Sequence, residues 1–323
     1  MWKLMTRRGI GLAVVLFLLL EALVFAQGKF PARPITVIDP WAPGAGSGIH
    51  VQSLQPHFEK ALKVGMVLVN KPGGGGTIAW NYVANSPPDG YTVVIINPSL
   101  LCTRYTVKTG VSYEKFDPLI LSITMPSAVV VKADAPWKNF KEFIEYARNA
   151  KPPLAYASGG NGSQHQLGIE MLKQRAGINM VHVPYRGGAP AGAATIAGET
   201  QVVLAGASNA NMLRSGQLRG LATTGTRRSP AFPDLPTIGE FYPGYDLTIW
   251  LGLFAPAGVP EPIMSKLRTE THKALAQRDL AEKLNVTGRL EPLILTPSEF
   301  SALIHRDYEK YGKLVKDIGI KAQ

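Results

Sequence analysis

Short apolar runs alternate with segments of helical spacing along the chain, and this alternation constrains the fold more than any other feature. Residues 35–39 (ITVID) and 66–70 (MVLVN) have strand character, whereas residues 51–62 place apolar side chains at helical intervals. The pattern restarts after Pro126 with the apolar run at residues 127–134. It predicts an α/β fold with largely parallel strands, built from two units.

Strand character returns near Ile249, and two amphipathic helical segments follow it. We therefore predict that residues 27–127 and 249–323 form a first domain and that residues 128–248 form a second. A chain of 323 residues is long enough for two domains. Because loops gather at the carboxyl ends of strands in such sheets, a ligand cleft is expected between the domains.

Residues 1–26 have the pattern of a cleaved export signal peptide. Basic residues precede an apolar run at residues 10–20, and small or β-branched residues end at Ala26. An uncleaved membrane anchor is the alternative, but the run is shorter than the roughly 20 residues that span a bilayer. The mature protein is expected in an exported compartment.

Cysteine usage and charge restrict the classes of function. Cys102 is the one cysteine, which excludes an intramolecular disulfide framework and a cysteine-based zinc cluster. The formal net charge of +11 favours anionic ligands. The basic residues are scattered and no aromatic-interleaved basic block occurs, so nucleic-acid binding is not expected.

Motifs for catalysis or cofactor binding are incomplete. In GAGSG the third glycine of a dinucleotide fingerprint would fall on Ile49, and GGGGT at residues 73–77 lacks the lysine of a phosphate loop. Ser158 comes nearest to a hydrolase nucleophile but lacks the leading glycine. The six histidines show no metal-ligand spacing, and a carboxylate pair for glycoside cleavage stays open without specific support. We expect loops that bind a ligand, with no cofactor.

The loop at residues 39–50, DPWAPGAGSGIH, joins a strand to a helix. Glycine lets backbone approach a ligand closely, and a helix N-terminus offers N–H groups to an anion. From the residues alone, the loop holds a phosphate, a carboxylate or nothing.

Taken in order, several stretches resemble the substrate-binding proteins of tripartite tricarboxylate transporters, the Bug family of periplasmic receptors. They include FPARPITVIDPWAPGAGSG, VNKPGGGGTIAWNYVANSPPDGYTVVI, YASGGNGSQHQLGIEML, VHVPYRGGAPA and LFAPAGVPEPI. The similarity runs from Phe30 to the C-terminus. It implies a two-domain Venus-flytrap fold of type II without catalytic activity. Such a receptor is a periplasmic monomer that captures a small organic acid for a membrane permease.

The resemblance also implies which residues hold the ligand. Residues 41–47 and 73–77 are expected to act through backbone groups and water. Asn161, Gly162 and Ser163 are expected to form the helix N-terminus that grips a carboxylate, with residues 185–188 on the other side. The full expected set is Trp41, Ala42, Pro43, Gly44, Ala45, Gly46, Ser47, Gly74, Gly75, Gly76, Thr77, Asn97, Ser158, Asn161, Gly162, Ser163, His165, Tyr185 and Ser208.

Four positions depart from the family pattern. The family usually has Asp where this chain has Gly48, an apolar residue at Asp39, His at Gln166 and Asp at Ala205. An unpaired carboxylate at Asp39 would repel an acid, which points to an uncommon acid or to an amide- or amine-bearing ligand. Two other roles stay open: ligand delivery to a membrane sensor kinase, and a secreted enzyme, which the missing motifs disfavour.

Overall fold

The computed structural model describes residues 30–108, 110–125, 127–229, 232–280, 282, 284, 291–292, 295–317 and 319. The expected signal peptide at residues 1–26 lies outside the described residues. Within the described part of the chain, no helix combines the length and the apolar character needed to cross a membrane.

Eleven strands are described, and they form two sheets. The strands of the first sheet are β1 (Ile35–Asp39), β2 (Met66–Asn70), β3 (Thr92–Ile96), β4 (Phe116–Met125), β10 (Ile249–Pro256) and β11 (Glu291–Pro292). Those of the second sheet are β5 (Ala128–Lys132), β6 (Leu154–Ser158), β7 (Met180–Pro184), β8 (Val202–Ala205) and β9 (Leu218–Thr223). From one edge to the other, the strand order is β11-β4-β10-β3-β1-β2 in the first sheet and β7-β6-β8-β5-β9 in the second.

Helices cover the two sheets. In chain order they are α1 (Gly46–Leu62), α2 (Thr77–Ala84), α3 (Ser99–Thr106), α4 (Phe140–Asn149), α5 (Gln164–Ala176), α6 (Gly188–Ala197), α7 (Ala210–Arg214), α8 (Ile238–Phe241), α9 (Glu261–Leu275) and α10 (Pro297–Asp317). Single 3₁₀ turns occur at Gly74–Gly76, Tyr113–Lys115 and Ala207–Asn209.

Both sheets are mixed, so the prediction of largely parallel strands was wrong. Among the described strands, β1 pairs in parallel with β2 and β3, and β6 pairs in parallel with β7 and β8. In contrast, β10 is antiparallel to β3 and β4, and β5 is antiparallel to β8 and β9. Strand β5 is the first strand that the chain forms in the second sheet. Strand β10 is the first strand that it forms after returning to the first sheet.

The chain passes from the first sheet to the second between β4 and β5, and it returns between β9 and β10. Every residue of β10 is buried, because this strand lies between β3 and β4 and is covered on both faces. The domain boundaries stay a prediction, in which each domain contains one of these sheets. The arrangement brings loops of both sheets to the space between them.

Candidate functional site

A cavity of about 520 Å³ lies between the two sheets. It is lined by Trp41, Ala42, Pro43, Ala45, Gly46, Ser47, Asn97, Ser99, Gly159, Ser163, Gln164, His165, Arg186, Gly187, Gly188, Ala189, Pro190, Ala193, Ser208, Met212, Ile249 and Leu251. The N-terminal ends of four helices, α1, α3, α5 and α6, contribute to this lining. A helix N-terminus presents N–H groups without intrahelical partners, so the cavity has the character of an anion site.

The structure places one part of the expected ligand set in this lining and another part outside it. The expected residues in the lining are Trp41, Ala42, Pro43, Ala45, Gly46, Ser47, Asn97, Ser163, His165 and Ser208. Those outside it are Gly44, Gly74, Gly75, Gly76, Thr77, Ser158, Asn161, Gly162 and Tyr185. That the lining residues bind a ligand stays a prediction.

Two of the expected side chains outside the lining are engaged elsewhere. Ser158 lies 2.6 Å from the Nε2 atom of His182 and also donates to the backbone oxygen of Gly160. The hydroxyl of Tyr185 donates to Glu199 over 2.9 Å. These contacts lie within the second sheet and its loops.

Other expected residues bring the two sheets into contact instead of lining the cavity. A Cβ atom added at Gly75 would lie 3.2 Å from the backbone oxygen of Asn161, and one at Gly162 would lie 2.4 Å from the Thr106 hydroxyl. Glycine permits both of these close approaches. At these two glycines, loops that belong to different sheets are therefore in contact.

Some lining residues were not in the expected set. The resemblance implies that Arg186, Gly187 and Gly188 lie opposite the Ser163 loop, but the expected set of ligand residues does not include them. The remaining ones are Ser99, Gly159, Gln164, Ala189, Pro190, Ala193, Met212, Ile249 and Leu251. Ile249 and Leu251 lie two residues apart on β10, so their side chains lie on the same face of the sheet. This spacing is the sequence pattern from which their shared position could have been predicted.

Helix α6 begins at the cavity without a side-chain cap. Its N-cap residue, Gly187, has a φ of 126° and provides no capping side chain. The amides of Gly188 and Ala189 therefore have no intrahelical acceptor, and Pro190 has no N–H group to place there. Arg186 is exposed beside them and forms no salt bridge with any described residue. The Arg186 guanidinium and the amides of Gly188 and Ala189 therefore lie together at one wall of the cavity.

Helix α5 begins at the same cavity with Ser163 as its N-cap. The Ser163 Oγ atom accepts the Gln166 amide over 3.3 Å, and the Gln166 side chain accepts the Gly162 amide over 2.7 Å. Gln166, one of the departures from the family pattern, therefore secures the start of this helix. Because Ser163 uses an acceptor lone pair for capping, its hydroxyl proton is left to donate into the cavity.

Helix α1 begins above a buried carboxylate. Ser47 donates its hydroxyl to Asp39 over 2.9 Å, and the Trp41 amide and the Asn70 side chain also donate to Asp39. Burial raises the pKa of Asp39 to about 6, although the hydrogen bonds from Ser47 and Trp41 oppose that rise. Asp39 therefore accepts hydrogen bonds from three neutral groups, while no salt bridge to it is found among the described residues.

The Asp39 and Gly48 departures are spatial neighbours. A Cβ atom added at Gly48 would lie 3.3 Å from the Asp39 Oδ2 atom. The carboxylate of Asp39 therefore occupies space that a longer side chain at position 48 would enter.

The ring of His165 lines the cavity without contributing a charge at neutral pH. Burial lowers the pKa of His165 to about 4. The lining residues include no aspartate, glutamate or lysine. Arg186 is consequently the one side chain in the lining that is charged at neutral pH. Among the described residues, no cluster of His, Cys, Asp and Glu could hold a metal ion.

We expect Asp39→Asn to stabilise the empty protein at neutral pH. The folded-state pKa is raised from 3.8 to about 6, so ionised Asp39 lowers the free energy of unfolding by up to about 3 kcal/mol above pH 6. This penalty disappears as the pH falls towards 4. Denaturant melts between pH 4 and pH 8 should show the variant's advantage only at the upper end. A variant that is less stable throughout this range would contradict the assignment.

Comparison with known proteins places this geometry in context. A family model described as the tripartite tricarboxylate transporter family receptor matches residues 51–320. A UPF0065 protein of Pseudomonas sp. (strain P51) is 30% identical over 299 residues, covering 91% of this chain and 88% of that protein. BugT of Bordetella pertussis is 28% identical over 301 residues, covering 90% and 91%.

Solved structures show the same fold. The periplasmic binding protein BugD superposes with a TM-score of 0.83 at 29% identity, covering 91% of this chain and 100% of that chain. Rpa4515 of R. palustris with adipate gives 0.86 at 28% identity, covering 91% and 100%. MatC of Rhodopseudomonas palustris with bound malate gives 0.79 at 27% identity, covering 88% and 100%. The predicted two-lobed binding-protein fold class is confirmed.

Proposed function

The chain belongs to the tripartite tricarboxylate transporter receptor family, and from this we propose that it is a periplasmic solute-binding receptor for a small organic acid. The observation that supports this most is the wall formed by Arg186 and the uncapped start of α6, in a cavity whose lining has no acidic side chain. Adipate and malate, the ligands of two structural neighbours, are both carboxylates.

We propose that the ligand carboxylate is held from two directions within the second sheet's loops. The Gly188 and Ala189 amides and the Arg186 guanidinium donate from one side, and the Ser163 hydroxyl donates from the other. Charge-assisted hydrogen bonds of this kind are about twice as strong as neutral ones. The first sheet's loops complete the enclosure, and a Gln164 amide to Ser99 hydroxyl contact of 3.3 Å already joins the two sides.

We propose further that the protein captures its ligand without transforming it, for delivery to a membrane permease. Ser158 and His182 are the nearest approach to a nucleophile and base, but neither lines the cavity. Burial also lowers the pKa of His182 to about 4, which makes it a weak base. We further propose a monomeric protein in the periplasm.

Thermal-shift screening of small organic acids on residues 27–323, followed by calorimetric titration, tests the proposed function. At least one acid should stabilise the protein and bind with one-to-one stoichiometry. If no acid among aliphatic and aromatic carboxylates shifts the melting temperature or releases heat, the proposed function is wrong.

The Ser163→Ala substitution should weaken binding of that acid about ten- to hundredfold. It removes a charge-assisted donor worth roughly 1.5–3 kcal/mol, whereas loss of the helix cap costs only about 1 kcal/mol of stability. Ser47→Ala is the matched control, because Ser47 already gives its proton to Asp39. Calorimetry should show a smaller loss for Ser47→Ala. Equal affinities for Ser163→Ala and the parent would show that the carboxylate binds elsewhere.

A further inference from the structure

We infer that this receptor selects acids with a single carboxylate, and that buried Asp39 is the residue that excludes a second negative charge. The inference rests on the proposed function and specifies its ligand class. The ligand's carboxylate lies at the second sheet, and its far end, facing the first sheet, is uncharged or carries hydrogen-bond donors.

The two walls of the cavity differ in charge. The second sheet's side offers Arg186, the amides at the start of α6 and the Ser163 hydroxyl. The first sheet's side has no cation in the lining. A diacid spanning the cavity would therefore find a counter-charge for only one of its two carboxylates.

Of the polar side chains that line the first wall, Asn97 and Ser99 are neutral, and the hydroxyl of Ser47 is already directed at Asp39. Ser47 lines the cavity, yet its only proton is donated to Asp39 over 2.9 Å. The amide of Trp41 also donates to Asp39, over 3.1 Å. What Ser47 presents to a ligand is its oxygen lone pair, which accepts a hydrogen bond from an amide, a hydroxyl or an ammonium group. A carboxylate has no proton to give it.

A second ligand carboxylate at Ser47 would also be repelled by the negative charge of Asp39, because the two groups would lie close together. A ligand atom in hydrogen-bond contact with Ser47 would lie within about 6 Å of the Asp39 carboxylate, because two hydrogen bonds that meet at the Ser47 hydroxyl separate them. Like charges at that separation beneath a protein surface repel strongly enough to lower affinity ten- to hundredfold.

Apolar side chains complete the lining of the cavity. Trp41, Pro43, Met212, Ile249 and Leu251 all line the cavity. They fit an alkyl or aromatic body that joins the carboxylate to the far end.

Among the residues that the structure describes, no cation pairs with Asp39 to offset its charge. Ser47 on α1 and Asn70 at the end of β2 are neutral donors. His50 on α1 is buried, and burial lowers its pKa to about 3, so it is uncharged at neutral pH. Lys71 follows β2, but its ammonium group lies 4.3 Å from the centre of the Tyr82 ring.

Matched ligand pairs test the inference, because a diacid and its monoamide share length and shape and differ in one charge. The probes are succinate and succinamate, adipate and adipamate, and terephthalate and 4-carbamoylbenzoate. In calorimetric titrations at pH 7.5, the monoamide of each pair that binds should bind at least about tenfold more tightly. In Asp39→Asn, this ratio should fall to about threefold or less. Asp134→Asn, which neutralises an exposed acid paired with Lys132, should leave the ratio unchanged.

A second measurement uses the parent protein alone. Lowering the pH from 7.5 to 5.5 protonates Asp39, so terephthalate should gain affinity relative to 4-carbamoylbenzoate. A diacid that binds as tightly as its monoamide at pH 7.5 would overturn the inference while leaving the proposed function standing. A tenfold ratio unaffected by both Asp39→Asn and pH would overturn the role of Asp39. Binding of other acids but of none of these probes would also overturn the inference, whereas failure of every acid would contradict the proposed function itself.

Discussion

Reversing one charge, in Arg186→Glu, should weaken binding of the organic acid by about a hundredfold to a thousandfold. Arg186 is the one side chain in the cavity lining that is charged at neutral pH, and it stands next to the amides that open α6. The substitution removes a charge-assisted donor and places a carboxylate against the ligand's own. Calorimetric titration with the acid found by screening measures the loss.

Arg227→Glu is the matched control for this experiment. Arg227 is exposed and lies outside the cavity lining, so its reversal changes the net charge equally without touching the site. We expect the control to bind within about twofold of the parent, because water and physiological salt screen the charge of an exposed side chain outside the cavity. If Arg186→Glu binds as tightly as the control does, the carboxylate does not lie at the start of α6.

Adding one methyl group at Gly162 should lower ligand affinity by about thirtyfold to a thousandfold, or about 2–4 kcal/mol. Gly162 has a φ of 72°, where alanine costs about 1–2 kcal/mol. The new Cβ atom would also lie 2.4 Å from the Thr106 hydroxyl on the first sheet's side. Thr106 cannot easily turn away, since that hydroxyl donates to the Cys102 oxygen. The methyl group would hold the two sides of the cavity apart.

Two further variants separate steric contact from backbone strain. Gly177→Ala introduces the same left-handed strain, at a φ of 61°, in open space at the end of α5, and it should leave affinity unchanged. Combining Gly162→Ala with Thr106→Ala removes the clashing hydroxyl and should restore affinity to within about tenfold of the parent. If the single Gly162→Ala variant binds normally, the two loops do not meet in the bound protein.

Periodicity alone predicted most elements of the fold. Strands such as β1 and β2 were found at the predicted residues because each is a short apolar run bounded by turn residues. Helix α6 was not predicted, since its sequence GAPAGAATIA contains only glycine, alanine, proline, threonine and isoleucine. Such a segment has no alternation of polar and apolar residues to indicate a helix, although in the structure Asn209 packs against it next to Gly188 and Gly192.

The candidate site was predictable where a loop directly precedes a helix in the sequence. Residues 41–47 and Ser163 have this arrangement and were expected as ligand residues from the family resemblance, and most of them line the cavity. The contribution of β10 could not be read in this way, because Ile249 and Leu251 reach the cavity only after the chain returns from the second sheet. The pairing of Asp39 with Ser47 and Asn70 likewise joins residues from three elements, which no local pattern reports.

The most direct test of the central claim is a crystal structure of residues 27–323 with the acid that binds best in the screen. The account predicts electron density for the acid in the cavity between the two sheets, with its carboxylate within hydrogen-bond distance of the Gly188 or Ala189 amide and of the Ser163 hydroxyl. Density for the acid at another surface, with an empty cavity, would contradict it.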